Sequence, residues 1–310
     1  MADPLAGASY NKYQNARIAI GKVLRSIGHR VRYGAAVYPQ PGGPIEGCGA
    51  GKEVFLTQQG DPPTYAAAGE DGPVLKALLG ALSLQPSGGT PTSPTIAALA
   101  PTLEALQGKT FVVLATDGAP NCNPNAVCGT DECSLNLEGW TINDVQCVAP
   151  INCCDPKYKL GTPLDCVDRA ASVDEIMKLH DAGIPTYVIG MPGSEIYSNV
   201  LDDMAMAGGT AKPIAPRYYS VTDSDSLTAA IKQIGIQVAI KCEVDLGEVP
   251  PDSSLVNVYF DTSLVQLDPV DGWSWTSDTS ISINGAACDE LKSGDVLQLQ
   301  VVAGCPTSVK

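Results

Sequence analysis

No stretch of these 310 residues approaches the run of about 20 apolar residues that a membrane-spanning helix needs. Histidine is almost missing: His29 and His180 are the two. His29 follows Gly28, a helix stop, and reads as a solvated turn residue. His180 falls late in a helix, where a dipole contact or packing accounts for it. Neither stands beside a nucleophile, and no G-x-S-x-G, H-E-x-x-H or phosphate-loop pattern occurs. A metal-dependent hydrolase is therefore the weakest of the function classes, and the chain is not expected to be an enzyme. Basic residues are also scarce. There are 19 against 34 acidic ones, a formal net charge of -15. Such a surface repels phosphate backbones and excludes nucleic acid as a partner.

The chain also lacks any C-x-x-C pair, and with so little histidine it lacks the spacing of zinc sites. Cysteine itself is plentiful, at 11 residues, seven of them from Cys122 to Cys166. A disulfide framework is the reading, largely within that stretch or to Cys48, and it implies an oxidising compartment outside the cytoplasm. The adjacent Cys153 and Cys154 should bond to different partners, because a bridge between sequence neighbours is strained. Cys288 and Cys305 could join strands near the end of the chain. The first residues, "MADPLAGASYNKYQNARIAI", carry no export signal, which sits uneasily with that compartment.

An apolar fraction of 44% and this length suit about two domains with real cores. Tyr13, Ala16, Ile20, Leu24 and Ile27 recur at helical spacing. "VRYGAAVYP" and "EVFL" read as strands, and "GPVLKALLGALSL" as a helix. "SPTIAALAPTLEAL" reads as a helix with Ser93 as its cap, kinked or split at Pro101. "FVVLA", at Phe111 to Ala115, suits a strand buried on both faces of a parallel sheet. The polar, cysteine-rich stretch from about 118 to 168 shows no period, and its cysteines would staple it. Alternation resumes with a helix capped by Ser172, the strand "PTYVIG", and helices and a short strand up to about 240. The order predicts a doubly wound, mostly parallel α/β sheet over 1–240 with 118–168 as an insertion. From 241 to 310, "SLVNVYF", "SISI" and "VLQLQVV" predict a small antiparallel β module without helices. Trp273 and Trp275 would share one face of it, in the core.

Two loops could carry chemistry. "PSGGTPTSPT" precedes a helix, and "VLATDGAPNC" leaves the strand at Phe111 to Ala115. In an open α/β sheet ligands bind beyond the carboxyl ends of strands. Gly88 and Gly89 allow close backbone approach before Thr90, and Asp117 follows a strand end. A hydroxyl and a carboxylate converging there are hard oxygen ligands suited to Mg²⁺ or Ca²⁺. Thr-Asp-Gly is equally ordinary turn chemistry.

"GGTPT" before a helix and "FVVLATDG" on a strand resemble the von Willebrand factor type A domain over about residues 1 to 240. The resemblance implies a metal-ion-dependent adhesion site with Thr90 and Asp117 as ligands of Mg²⁺, Ca²⁺ or Mn²⁺. The family's D-x-S-x-S motif, with its first strand, is absent. Met1 falls where the residue after that motif would stand, so the chain is expected to begin inside it, with the export signal also upstream. Such a site implies an exported adhesion module that holds an acidic side chain of a protein ligand through the ion. The alternative is a disulfide-stapled structural surface protein without metal. Either way the location is extracytoplasmic: secreted, periplasmic or surface-anchored.

Overall fold

The computed structural model describes residues 1, 3, 10–40, 47–239, 241–293, 296 and 298–309. The chain begins with helix α1 (Lys12–Ile27), strands β1 (Arg32–Val37) and β2 (Lys52–Gln59), and helices α2 (Pro63–Ala68), α3 (Pro73–Ala81) and α4 (Thr92–Glu104). Strand β3 (Val112–Thr116) follows, then α5 (Ser134–Leu137) and the hairpin β4 (Thr141–Ile142) and β5 (Val145–Gln146). Next come α6 (Arg169–Asp181), β6 (Thr186–Gly190), α7 (Ser198–Ala207), β7 (Tyr219–Ser220) and α8 (Ser224–Ala239). The last elements are β8 (Glu243–Asp245), β9 (Val256–Phe260), β10 (Ser263–Val265), β11 (Trp273–Ser277), β12 (Ser280–Ile283), α9 (Gly285–Ser293) and β13 (Leu299–Ala303). Leu297, within the last expected strand, lies outside the described residues.

The doubly wound sheet is not what forms. Among the described residues one parallel sheet exists, of three strands in the order β3–β6–β7, while β1 and β2 form a separate pair. The remaining sheets are antiparallel and small, with the orders β10–β9–β13, β11–β12–β8 and β4–β5. Alternation along a chain shows that each strand has a face to bury. It does not say which strands share hydrogen bonds. Nor is β3 buried on both faces: Leu114 is covered while Val113 is 47% exposed, the alternation of a half-buried strand.

The chain divides into two compact units, residues 1–19, 34–56 and 78–230, and residues 20–33, 57–77 and 231–310. In the first unit α6 packs against both α4 and α7. Ile176, Leu201 and Met204 are fully buried there with Ile96, Leu114 and Val188 around them. Each such side chain contributes about 1.5–3 kcal/mol by leaving water. The second unit has its own core of Val258, Phe260, Trp273, Ile281 and Leu291. Trp273 is fully buried and meets Trp275 edge-on at 5.6 Å, so the pair serves packing. Asp61 caps α3, accepting from the Val74 and Leu75 amides at 2.9 Å each. A Cβ at Gly72 would meet the Asp61 carboxyl carbon at 2.2 Å, so only glycine leaves room for that cap.

Several local expectations change. The covered stripe of α1 runs through Lys12, Ala16, Ala19, Val23 and Ile27, offset from the expected one, and Lys12 is 7% exposed. Helix α4 starts at Thr92 after Pro91, not after Ser93, and continues through Pro101. Only three residues follow Pro101, so one lost amide hydrogen bond is all the helix forgoes. Ser172 lies inside α6, which begins at Arg169, so it caps nothing. In the last segment α9 is a helix where only strands were expected, with Ala287 and Leu291 buried one turn apart.

Five disulfides form. Cys48–Cys122 ties the loop before β2 to the start of the cysteine-rich segment. Inside that segment Cys128–Cys166 encloses Cys133–Cys154, which encloses Cys147–Cys153. Cys153 and Cys154 do take different partners. Cys242 pairs with Cys288, so Cys305 is left free and exposed, not joined to Cys288. Cys133, Cys147, Cys153, Cys154 and Cys166 are each at most 2% exposed and pack on Leu135, Ile142 and Leu160. Sulfur is the core of this segment. Replacing Cys133 and Cys154 together by alanine opens a loop of 21 residues and should cost about 3 kcal/mol. Limited proteolysis should then cut the 118–168 segment, and the oxidised parent should resist the same treatment.

Candidate functional site

Because β3, β6 and β7 are parallel, their carboxyl ends lie along one edge. Thr116 pairs with Gly190, and Gly190 with Ser220. The chain leaving β3 turns at once. Thr116 Oγ1 donates to the Gly118 carbonyl at 2.9 Å, and the Met191 amide donates to the Thr116 carbonyl at 2.8 Å. Asp117 stands at this turn with its side chain 22% exposed.

The group facing Asp117 is Lys12, the first residue of α1. Its ammonium lies 3.4 Å from Asp117 Oδ2 and 3.9 Å from Asp3 Oδ2. The Lys12 side chain is only 8% exposed. The Met1 ammonium also donates to Asp117 Oδ2. Gly193, at φ 101°, closes over the lysine: a Cβ there would lie 3.3 Å from Lys12 Nζ and 3.4 Å from the Asp117 carbonyl. The pair therefore sits between the loops leaving β3 and β6, largely out of water, where charge attraction is stronger than at an open surface.

Thr90 is held on the neighbouring loop. Its amide donates to Asn121 Oδ1 at 2.6 Å, and its carbonyl accepts from the Asn121 amide at 2.9 Å. The glycines before it serve a chain crossing. The Gly89 amide donates to the Gly47 carbonyl at 2.8 Å, and a Cβ on Gly88 would lie 2.4 Å from the Gly47 Cα. A Cβ on Gly89 would strike Cys122 Sγ at 2.4 Å. The close approach read from Gly88 and Gly89 is thus made to the Cys48–Cys122 bridge. Behind this edge the Tyr38 hydroxyl donates to the Ala115 carbonyl at 3.2 Å. Burial pushes its pKa up to about 12, opposed by hydrogen bonds with Thr116 and Thr92.

These groups do not fit a divalent ion. Mg²⁺ needs near-octahedral oxygens, usually one or two carboxylates with waters. Asp117 supplies one carboxylate, and the oxygen that would bind already faces an ammonium. Among the described residues the one cluster of cysteine, histidine and carboxylate ligands close enough to share a metal is Cys128, Cys154 and Cys166, within 4.8 Å of one another. All three are in disulfides and offer no thiolate.

Lys12 escaped the sequence reading, although it lies on the covered stripe of α1, four residues before Ala16. A lysine on an apolar stripe is the signal for a buried ion pair. The hairpin β4–β5 was also missed. Its turn residues Asn143 and Asp144 both have positive φ, 50° and 63°, the backbone that an Asn-Asp pair supports in a two-residue hairpin.

No family model matches the chain, and no curated protein does. Among solved structures, the pilus adhesin SpaC from Lactobacillus rhamnosus GG in its open conformation is similar at 15% identity with a TM-score of 0.50, over 88% of this chain and 35% of SpaC. The PilB minor pilin from Streptococcus sanguinis is similar at 14% identity and a TM-score of 0.46, over 76% of this chain and 56% of PilB. Proximal thread matrix protein 1 from the mussel byssus is similar at 14% identity and a TM-score of 0.42, over 77% and 44% of the two chains. The chain thus spans about a third of SpaC, and the likeness is one of fold. The resemblance to type A domains, with its adhesion site and magnesium, is not upheld. No family model supports it, the doubly wound sheet is not formed, and the solved structure similar at a TM-score of 0.50 is that of a pilus adhesin.

Lys12→Gln removes the more deeply covered of the two ammoniums that face Asp117 Oδ2 and leaves the Met1 ammonium as its one counter-charge. Unfolding free energy should fall by about 1–3 kcal/mol, and Asp117→Asn in the same chain should recover part of it. An unchanged unfolding free energy in urea would show that Lys12 does not neutralise Asp117.

Proposed function

We propose that this chain is a disulfide-stapled, protein-binding module of an extracytoplasmic surface protein, and that it is not an enzyme. The observation that carries this reading is the sulfur core of residues 118–168. Five buried half-cystines replace the apolar side chains such a segment would otherwise need, and this works only where thiols are oxidised. Among the described residues no helix is long and apolar enough to cross a membrane. The fold shared with a pilus adhesin, over about a third of that protein, agrees with a role in surface contact.

The acidic protein ligand expected through a bound ion loses its basis, because Asp117 Oδ2 already faces the ammoniums of Lys12 and Met1. The Lys12–Asp117 pair ties the start of α1 to the loop leaving β3 without a metal, which favours the metal-free alternative. Binding then rests on surfaces presented by the cystine segment. In cells that make the protein, a membrane-impermeant amine reagent should label the chain without lysis. Chain protected from the reagent in intact cells, with its cysteines reduced, would overturn the reading.

A further inference from the structure

The sulfur core holds an exposed finger. Residues 138–150 are mostly solvent-facing, and the hairpin β4–β5 forms their tip. Trp140, at its base, is 53% exposed, and Val148 on the returning arm is 46% exposed. The two arms are joined where the Cys147 amide donates to the Trp140 carbonyl at 2.8 Å. Cys147–Cys153 and Cys133–Cys154 pin the finger to the core. An indole this exposed would ordinarily turn freely, but this one is held. Its Nε1 donates to Glu138 Oε2 at 2.8 Å, and Glu138 Oε1 accepts from the Tyr197 hydroxyl at 2.7 Å. Tyr197 is 2% exposed. Burial, and then the neighbouring carboxylate, hold its phenol well above the ordinary tyrosine range, so it stays a donor.

Each oxygen of Glu138 already holds one neutral donor, and its charge is left without a counter-ion. Among the described residues no cation pairs with Glu138 or with Asp144 in the turn. Residues 118–168 carry seven carboxylates against two lysines, a net of 2 − 7 = −5. Of the lysines, Lys157 is spent on Asp155 at 2.7 Å. A fixed aromatic face beside uncompensated negative charge has a specific complement. An arginine or lysine over an indole gains a cation–π contact, and Trp is enriched at the energetic centres of protein interfaces.

We propose that the finger of residues 138–150 is a docking surface for a cationic segment of a partner protein, with Trp140 as the anchor and Glu138 and Asp144 supplying the opposing charge. This deepens the reading as a protein-binding module and rests on it. Surface labelling can fail while the finger still binds, and the reverse, so the two are separable.

The test is a titration of the oxidised chain with the peptide Ac-Gly-Arg-Gly-Arg-Gly-NH₂, followed by the tryptophan indole N–H resonances. The Trp140 resonance should shift saturably, and that of the buried Trp273 should stay still. Trp140→Ala, followed by calorimetry because the reporting indole is gone, should abolish peptide binding, and Glu138→Gln should weaken it at least about fivefold. Should Glu138→Gln disturb the fold, Asp144→Asn on the exposed turn should still weaken binding about twofold. The same peptide with glutamate for arginine, and a neutral oligosaccharide, should leave Trp140 unmoved. A response to the oligosaccharide alone, equal responses to both peptides, or no shift at millimolar arginine peptide would overturn the proposal.

Discussion

Five half-cystines at the centre of residues 118–168 are the constraint on which the rest of the functional face depends. A polar segment of this length cannot bury enough apolar surface to offset the entropy of ordering it. Covalent closure lowers that cost by restricting the unfolded chain, and the buried sulfurs then act as small hydrophobes. Everything the segment presents follows from this. The finger is rigid because its base is cystine. The loop carrying Thr90 is placed because Cys48–Cys122 passes beneath Gly89, where no other side chain would fit.

The edge beyond β3 and β6 is governed by a second, electrostatic constraint. A carboxylate at a strand end, largely covered, must be neutralised. Here a lysine from α1 does that from within the chain. A tethered ammonium differs from a bound ion in kind. It is carried by the chain itself, and it leaves no open coordination position for a ligand's carboxylate. Asp117 Oδ2 is therefore closed to an ion, and recognition falls to the cystine segment.

Much of this was legible in the sequence, and the misses have physical causes. The strand at Thr186–Gly190, the stop at Gly183 and the split partners of Cys153 and Cys154 follow from local rules, and the structure agrees with them. The sheet order did not follow, because alternation reports burial and not pairing. Helix α9 was hidden because nine residues hold too few turns to display a period among flanking strand-like runs. Lys12 and Asp117 are 105 positions apart, and their pairing depends on the fold bringing α1 to the strand ends. The "GGT" stretch was read as room for a ligand. The room is taken by another part of the chain, and sequence alone does not distinguish the two uses of glycine.

The concentric order of the bridges has a mechanical consequence. Suppose the chain is pulled along its length, as a surface protein is when its two ends are held by different bodies. Tension entering at Cys48 crosses to Cys122 through sulfur, and that entering at Cys128 crosses to Cys166. The 74 and 38 residue steps between those cysteines are removed from the load path. Fully extended, they would have released about 250 Å and about 130 Å of contour. The finger and both inner bridges lie within the second bypass, so they carry no load along the chain. Such a pull would reach Trp140 only through the Glu138–Tyr197 hydrogen bond, whose tyrosine lies outside the bypass, until the outer bridges are chemically reduced.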